Sequence, residues 1–107
     1  MNTYYVYLSE KAEEKLCEIY DHIASISLNL QVSDSFIAKL RLYIEESLSY
    51  FPERFPIYNA NIRRAVYPDN RNYLIFFEIH EDVSEVRVLT IVNAKQYTSY
   101  RDIGKIS

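Results

Sequence analysis

Glycine is nearly missing from this chain: Gly104 is the only one in 107 residues. That excludes a glycine-rich loop cradling phosphates, and no Walker or Rossmann pattern occurs. Turns that need a positive φ must then rely on Asn, Asp or Ser. Cysteine is limited to Cys17, so no internal disulfide forms and no cysteine cluster can hold a metal. A cytosolic protein is the expectation, with Cys17 on a helix beside the core. No stretch approaches the ~18 apolar residues of a membrane span, and the first residues lack the basic and apolar regions of a signal peptide. Tryptophan is absent and net charge is only −3. Positive charge is equally scarce in the first half: residues 1–52 carry four Lys/Arg against eight Asp/Glu. Residues 53–107 carry eight against seven. The whole-chain field does not favour an anionic partner, which would have to be met by a local cluster in the second half.

What is abundant is tyrosine, eleven in all, with five Phe. That is more than one small core needs, and tyrosine favours interfaces. Residues 4–8 form an aromatic, β-branched run that predicts a first strand. Ser9 is placed to cap a helix, with Glu10, Glu13 and Glu14 favourable in its first turns. Ala12, Leu16, Ile19, Ile23 and Ile26 recur at spacings of three and four, one apolar face of a helix ending near Ser27. Residues 29–32 read as a turn. Ser33 or Asp34 then caps a second helix whose buried stripe is Phe36, Ile37, Leu40, Ile44, Leu48 and Phe51, ended by Pro52. Pro52 and Pro56 keep the next segment irregular. Strands are predicted at 62–67, 73–79 and 86–92, joined by turns at 68–71 and 80–84. Residues 93–107 form a polar tail. The expected fold is one α+β domain over residues 1–107: an N-terminal strand and an antiparallel helical hairpin packed on a small antiparallel sheet, in the order β-α-α-β-β-β.

Several segments resemble the RelE/ParE toxin family, the toxins of type II toxin–antitoxin pairs. They are Leu8-Ser9-Glu10-Lys11-Ala12 with Leu16 and 19–24, then Leu48-Ser49-Tyr50-Phe51-Pro52, then Ile62-Arg63-Arg64, and finally 72–79 and 86–91. The match runs over roughly residues 4–97 and is closer to the ParE side, through the long helices and the Phe51-Pro52 junction. The resemblance implies a cytoplasmic toxin silenced by a cognate antitoxin in a hetero-oligomer, with no cofactor, metal or membrane. A ParE-like member acts on DNA gyrase. A RelE-like member is a ribosome-dependent endonuclease that cuts messenger RNA. A degenerate member binds its antitoxin without being toxic.

RNA cleavage needs a group to activate the 2′-hydroxyl, cations for the phosphorane-like transition state and an acid for the leaving oxygen. In the RelE-like reading the catalytic candidates are Arg63, Arg64, Arg87 and Tyr97. Candidate binding residues in either reading are Arg63, Arg64, Tyr73, Arg87, Lys95 and Gln96. Neighbours on a strand point to opposite faces, so at most one of Arg63 and Arg64 serves a given site. Many family members carry Arg where this chain has Thr90 and His where it has Asn93, which argues against the nuclease. His22 and His80 are expected at the surface. Adjacent acids such as Glu13-Glu14, Glu45-Glu46 and Glu81-Asp82 read as solvated charge. No His/Asp/Glu spacing suits a metal. An open sheet beside a helical hairpin suits an antitoxin that adds a strand or lays in a helix.

Overall fold

The computed structural model describes residues 3–96, with the side chain of Gln96 outside the description. The order is β1 (Tyr5–Leu8), α1 (Glu10–Ser27), α2 (Leu30–Ser49), β2 (Ile57–Asn59), β3 (Ile62–Val66), β4 (Tyr73–His80) and β5 (Glu85–Asn93), with short 3-10 turns at Pro52–Arg54, Glu81–Val83 and Ala94–Gln96. It is the expected α+β arrangement. The helices lie on one face of a five-stranded sheet ordered β1-β5-β4-β3-β2.

Helix α1 begins where its sequence predicts. The Ser9 hydroxyl oxygen accepts from the Ala12 N–H at 3.0 Å and its hydroxyl donates to the Leu89 carbonyl at 2.8 Å. One side chain thus caps the helix and ties it to β5. Helix α2 starts earlier than expected: Asn29 is its cap, and Asn29 Oδ1 accepts from the Gln31 and Val32 N–H groups. Residues 30–32 are therefore its first turn. Ser33 is released from capping and is buried; its hydroxyl donates to the Tyr20 carbonyl at 2.6 Å, pinning α2 to α1. Helix α2 stops at Ser49, so Phe51 leaves the stripe and stands 59% exposed.

The scarcity of glycine is met differently from expectation. Among the described residues, positive φ falls on Leu28, Phe51, Ala60 and Ser84, of which only Ser84 is one of the residue types anticipated. Each non-glycine residue there pays a Cβ penalty of about 1 kcal/mol. Cys17 is exposed on α1 rather than tucked beside the core.

The apolar stripes found in the sequence converge under the hairpin. Ala12, Leu16, Ile19 and Ile23 of α1 and Leu40, Ile44 and Leu48 of α2 pack on Ala65, Tyr73, Ile75, Phe77, Val86, Val88 and Ile91 of the sheet. Full burial of each large apolar side chain contributes about 1.5–3 kcal/mol, far more than helix propensity.

Strands β3, β4 and β5 form the antiparallel meander expected. Two features were not expected. Strand β1 pairs in parallel with β5, Tyr5 opposite Glu85 and Leu8 opposite Val88, so the sheet is mixed. The chain enters α1 directly after Leu8, leaving no tight turn from which an antiparallel partner could be built. The segment read as irregular after Pro56 also supplies a short strand, β2, antiparallel to β3 at the far edge.

Candidate binding face of the sheet

Strand alternation sorts the sheet into a face under the helices and a face away from them. A bulge between Phe76 and Phe77 sets the sorting on β5: Phe77 pairs with Val88, whereas Phe76 pairs with Thr90. Leu89 is the extra residue, which shifts the alternation by one position. On the open face lie Arg64 of β3, Phe76 and Glu78 of β4, and Arg87, Thr90 and Val92 of β5, by register. Strand β1 adds Tyr5 and Tyr7 to the same face beside Glu85 and Arg87, 67% and 48% exposed.

The arginines singled out by sequence do not converge. Arg63 lies on the helix side, and its Nη1 donates to the Glu53 carbonyl at 3.0 Å and the Phe55 carbonyl at 2.7 Å. It holds the turn after α2 against β3. Arg64 lies on the open face, its guanidinium 5.6 Å from the Tyr58 ring centroid, close enough for a cation–π contact. Its Nε is buried and has no hydrogen-bond partner among the described residues. Thr90 Oγ1 is in the same state, on the other side of Phe76 in the same cross-strand row.

Arg87 is already engaged. Its Nε donates to Glu85 Oε1, and it pairs across strands with Glu78. The hydrogen bond it donates to Glu85, then the charges of Glu85, Asp82 and Glu78, push the guanidinium further toward its charged form. Glu78 in turn meets His80 Nε2 at 3.1 Å, and His80 pairs with Glu85. Arg87 is thus flanked by the carboxylates of Glu85 and Glu78, a mixed-charge cluster rather than a cationic patch.

Tyr73 is a core residue. It is buried beneath α2 with its ring 5.3 Å from that of Phe36, and the Asn93 side-chain amide donates to its hydroxyl at 3.3 Å. Burial pushes its phenol upward. Lys95 is exposed on the last turn, and its backbone N–H donates to Asn93 Oδ1. Tyr97 lies outside the described residues. Among those described, Arg64 and Arg87 share the open face, two strands apart and in different rows, and no acid–base set is assembled around them.

A second cluster had no signal in the sequence. The buried Tyr4 hydroxyl stands 2.9 Å from Glu53 Oε2 and 2.8 Å from Glu81 Oε1, joining the N-terminus to the turns after α2 and β4. The two hydrogen-bonded carboxylates, Glu81 first, raise the Tyr4 phenol well above its ordinary range. Glu53 is held below the usual carboxylate range by a backbone N–H, then by Tyr4. With Arg63, Asn61, Ile57 and Ile79 the carboxylates line a shallow cavity of about 240 Å³. Three residues 28 to 77 positions apart leave no local pattern. No group of three or more His, Cys, Asp or Glu among the described residues is arranged to hold a metal. No described helix is long and apolar enough to cross a membrane.

No model of a protein family and no curated protein matches the sequence. The fold, in contrast, matches solved structures over most of its length. A chain of the chromosomal ParDE toxin–antitoxin system of P. aeruginosa superimposes with a TM-score of 0.73 at 14% identity, covering 87% of this chain and 98% of that one. A chain of the toxin–antitoxin complex RelBE2 of Mycobacterium tuberculosis gives 0.64 at 17% identity, covering 85% and 98%. The isolated E. coli RelE toxin gives 0.54 at 14% identity, covering 95% and 96%. With its helical hairpin laid over a β3-β4-β5 meander and its N-terminal strand set beside β5, the chain has the fold of the RelE/ParE toxins.

Proposed function

We propose that this chain is the toxin of a toxin–antitoxin pair and that it acts in the ParE manner, by binding DNA gyrase in the cytoplasm. One observation carries the choice of a binding mode over RNA cleavage. Of the candidate cations described on the sheet, Arg63 is spent on two backbone carbonyls and Arg87 on Glu85, which leaves Arg64 alone on the open face. A single arginine can neutralise part of a phosphorane but cannot also activate the nucleophile and protonate the leaving oxygen.

A cognate antitoxin follows from the same reading, since two of the similar structures are of toxin–antitoxin systems. The exposed β1 edge with Tyr5 and Tyr7 suits such a partner: edge strands accept an added strand, and tyrosines give large contact area at small entropic cost. The experiment is a parallel assay of the purified chain, for inhibition of gyrase supercoiling and for cleavage of ribosome-bound message. Supercoiling inhibition relieved by the antitoxin, with intact message, is the expected result. Codon-specific cleavage without any effect on gyrase overturns the ParE reading.

The RelE-like reading stands second because of the buried, unpartnered Nε of Arg64 and Oγ1 of Thr90. Both are polar atoms that a phosphate-bearing ligand on the open face could engage. Its signature is message cleavage that is lost on Arg64→Ala.

A further inference from the structure

The bend between the two helices exposes apolar side chains that the fold itself does not use. Ile26, expected on the buried face of α1, is 66% exposed, and Leu28, Leu30 and Val32 are 89%, 63% and 46% exposed. None of the four packs on either core cluster. Together they present on the order of 400–500 Å² of surface, the size of the largest apolar patch on a typical monomer, and such patches are often functional. Leu28 is the most telling. It ends α1 in the left-handed region, at φ 56° and ψ 32°, where helices ordinarily place glycine or asparagine. A leucine there costs about 1 kcal/mol, and within its own chain it gains almost no burial. An outlier of this kind points to a contact made outside the chain.

The bend is tied down by its own side chains. The Ser27 hydroxyl donates to the Ile23 carbonyl at 2.7 Å and accepts from the Asn29 N–H at 3.2 Å, while Asn29 caps α2. Leu28 and Leu30 are thus presented in a fixed geometry, which lowers the entropic cost of docking. Residues 23–33 include no Asp, Glu, Lys or Arg, in a chain of which 25% is charged. Beside the patch opens a cavity of about 510 Å³ lined by Asn29, Val32, Phe36 and Tyr67, with Lys39 and Asp69. Neither Lys39 nor Asp69 is in an ion pair among the described residues.

We propose that two copies of this chain associate through the helical bend. The exposed leucines of each copy enter the cavity of the other, and Lys39 of each meets Asp69 of the other. Charge and shape choose the second copy as occupant. A two-fold interface sets each patch against itself, so a charged patch would meet its own charge, whereas an uncharged one does not. Protruding leucines beside an aromatic-walled cavity, bordered by one cation and one carboxylate, make a surface complementary to its own two-fold copy. The patch falls below the roughly 800 Å² that each partner buries in a standard complex, so the dimer is a reversible one that forms as concentration rises. The inference does not depend on which cellular target the protein has.

Sedimentation velocity of the full-length chain, from low to high micromolar concentration, tests this. A monomer–dimer equilibrium is expected, with its dissociation constant raised about tenfold or more by Leu30→Asp and by Leu28→Gly, both with the parental circular dichroism spectrum. Leu28→Gly separates two effects: the glycine relieves the backbone of the monomer and removes the side chain from the dimer. Lys39→Glu and Asp69→Lys each set like charges across the two-fold and weaken association alone. Mixed in equal amounts they restore it, because every contact between the two chains then joins opposite charges. A chain that stays monomeric throughout, a dimer indifferent to both leucine variants, or a mixture that associates no better than either charge variant alone overturns the proposal. Growth inhibition lost in Leu30→Asp while the parent is monomeric assigns the bend to a cellular partner and overturns it as well.

Discussion

Replacing Arg63 with alanine distinguishes an arginine that holds the fold from one that touches a target. In the structure its guanidinium donates to two carbonyls of the turn after α2, one bond half-buried and one exposed. A hydrogen bond to a charged group contributes about 1.5–3 kcal/mol when shielded, and less in water. Taking the half-buried bond near the low end of that range and the exposed one as a fraction of it, Arg63→Ala is expected to cost about 2 kcal/mol. In a domain of this size that lowers Tm by roughly 10 °C, at about 4–8 °C per kcal/mol. Arg64→Ala is the control. Among the described residues its guanidinium makes a cation–π contact with Tyr58 at 5.6 Å, whose loss costs about 0.5–1 kcal/mol. Thermal and urea unfolding followed by circular dichroism, on both variants beside the parent, read these differences directly. The reasoning fails if Arg63→Ala unfolds at the parental midpoint while growth inhibition is abolished, because Arg63 would then be acting on a partner.

Other outcomes follow from the same structure. Ile44→Ala removes a side chain buried between α2 and the sheet and should cost about 2–5 kcal/mol; a smaller loss in urea unfolding would show that the hairpin rests loosely on the strands. Leu28→Gly should raise stability by about 1 kcal/mol, since Leu28 closes α1 at φ 56° with its side chain 89% exposed; a lower Tm would mean the leucine makes contacts that outweigh its backbone strain. Glu53 is held below its ordinary range in the folded chain, so its contribution is present above that range and lost as pH falls through the folded value. Tyr4 has the opposite sign: raised by its carboxylate partners, it contributes below the ordinary phenol value near 10 and the contribution is lost at higher pH. Tyr4→Phe should therefore flatten both the acid and the alkaline limb of a Tm–pH profile, and a profile parallel to the parent's would remove the cluster from the account.

The parts of the fold that were legible are those with a local period. Ala12, Leu16, Ile19 and Ile23 announce the buried face of α1, and Ser9 announces its start. The run from Tyr73 reads as a strand covered on both faces, and its first five residues are buried. What was not legible depends on contacts between distant positions. Asn29 and Ser33 are both acceptable caps by residue type, and only the seating of Ser33 against the Tyr20 carbonyl decides between them. The partner and direction of β1 are set by a strand some 80 residues away, which no window of sequence contains. The site shows the same division. Alternation rightly separates Arg63 from Arg64, but which of them is consumed by the fold depends on where the Glu53 and Phe55 carbonyls fall. Tyr73, expected at a binding surface, sits in the core because its strand is covered where the tyrosine points.

The pairing of β1 with β5 orders events in time as well as in space. The first strand to leave the ribosome finds its hydrogen-bonding neighbour only when Glu85 to Val88 have been made. The Ser9 hydroxyl that starts α1 also waits for the carbonyl of Leu89. Contacts of such long sequence separation close late and slowly. Until those residues emerge, the N-terminal strand lacks the neighbour it pairs with, so a half-made chain cannot present the surface that the finished one does.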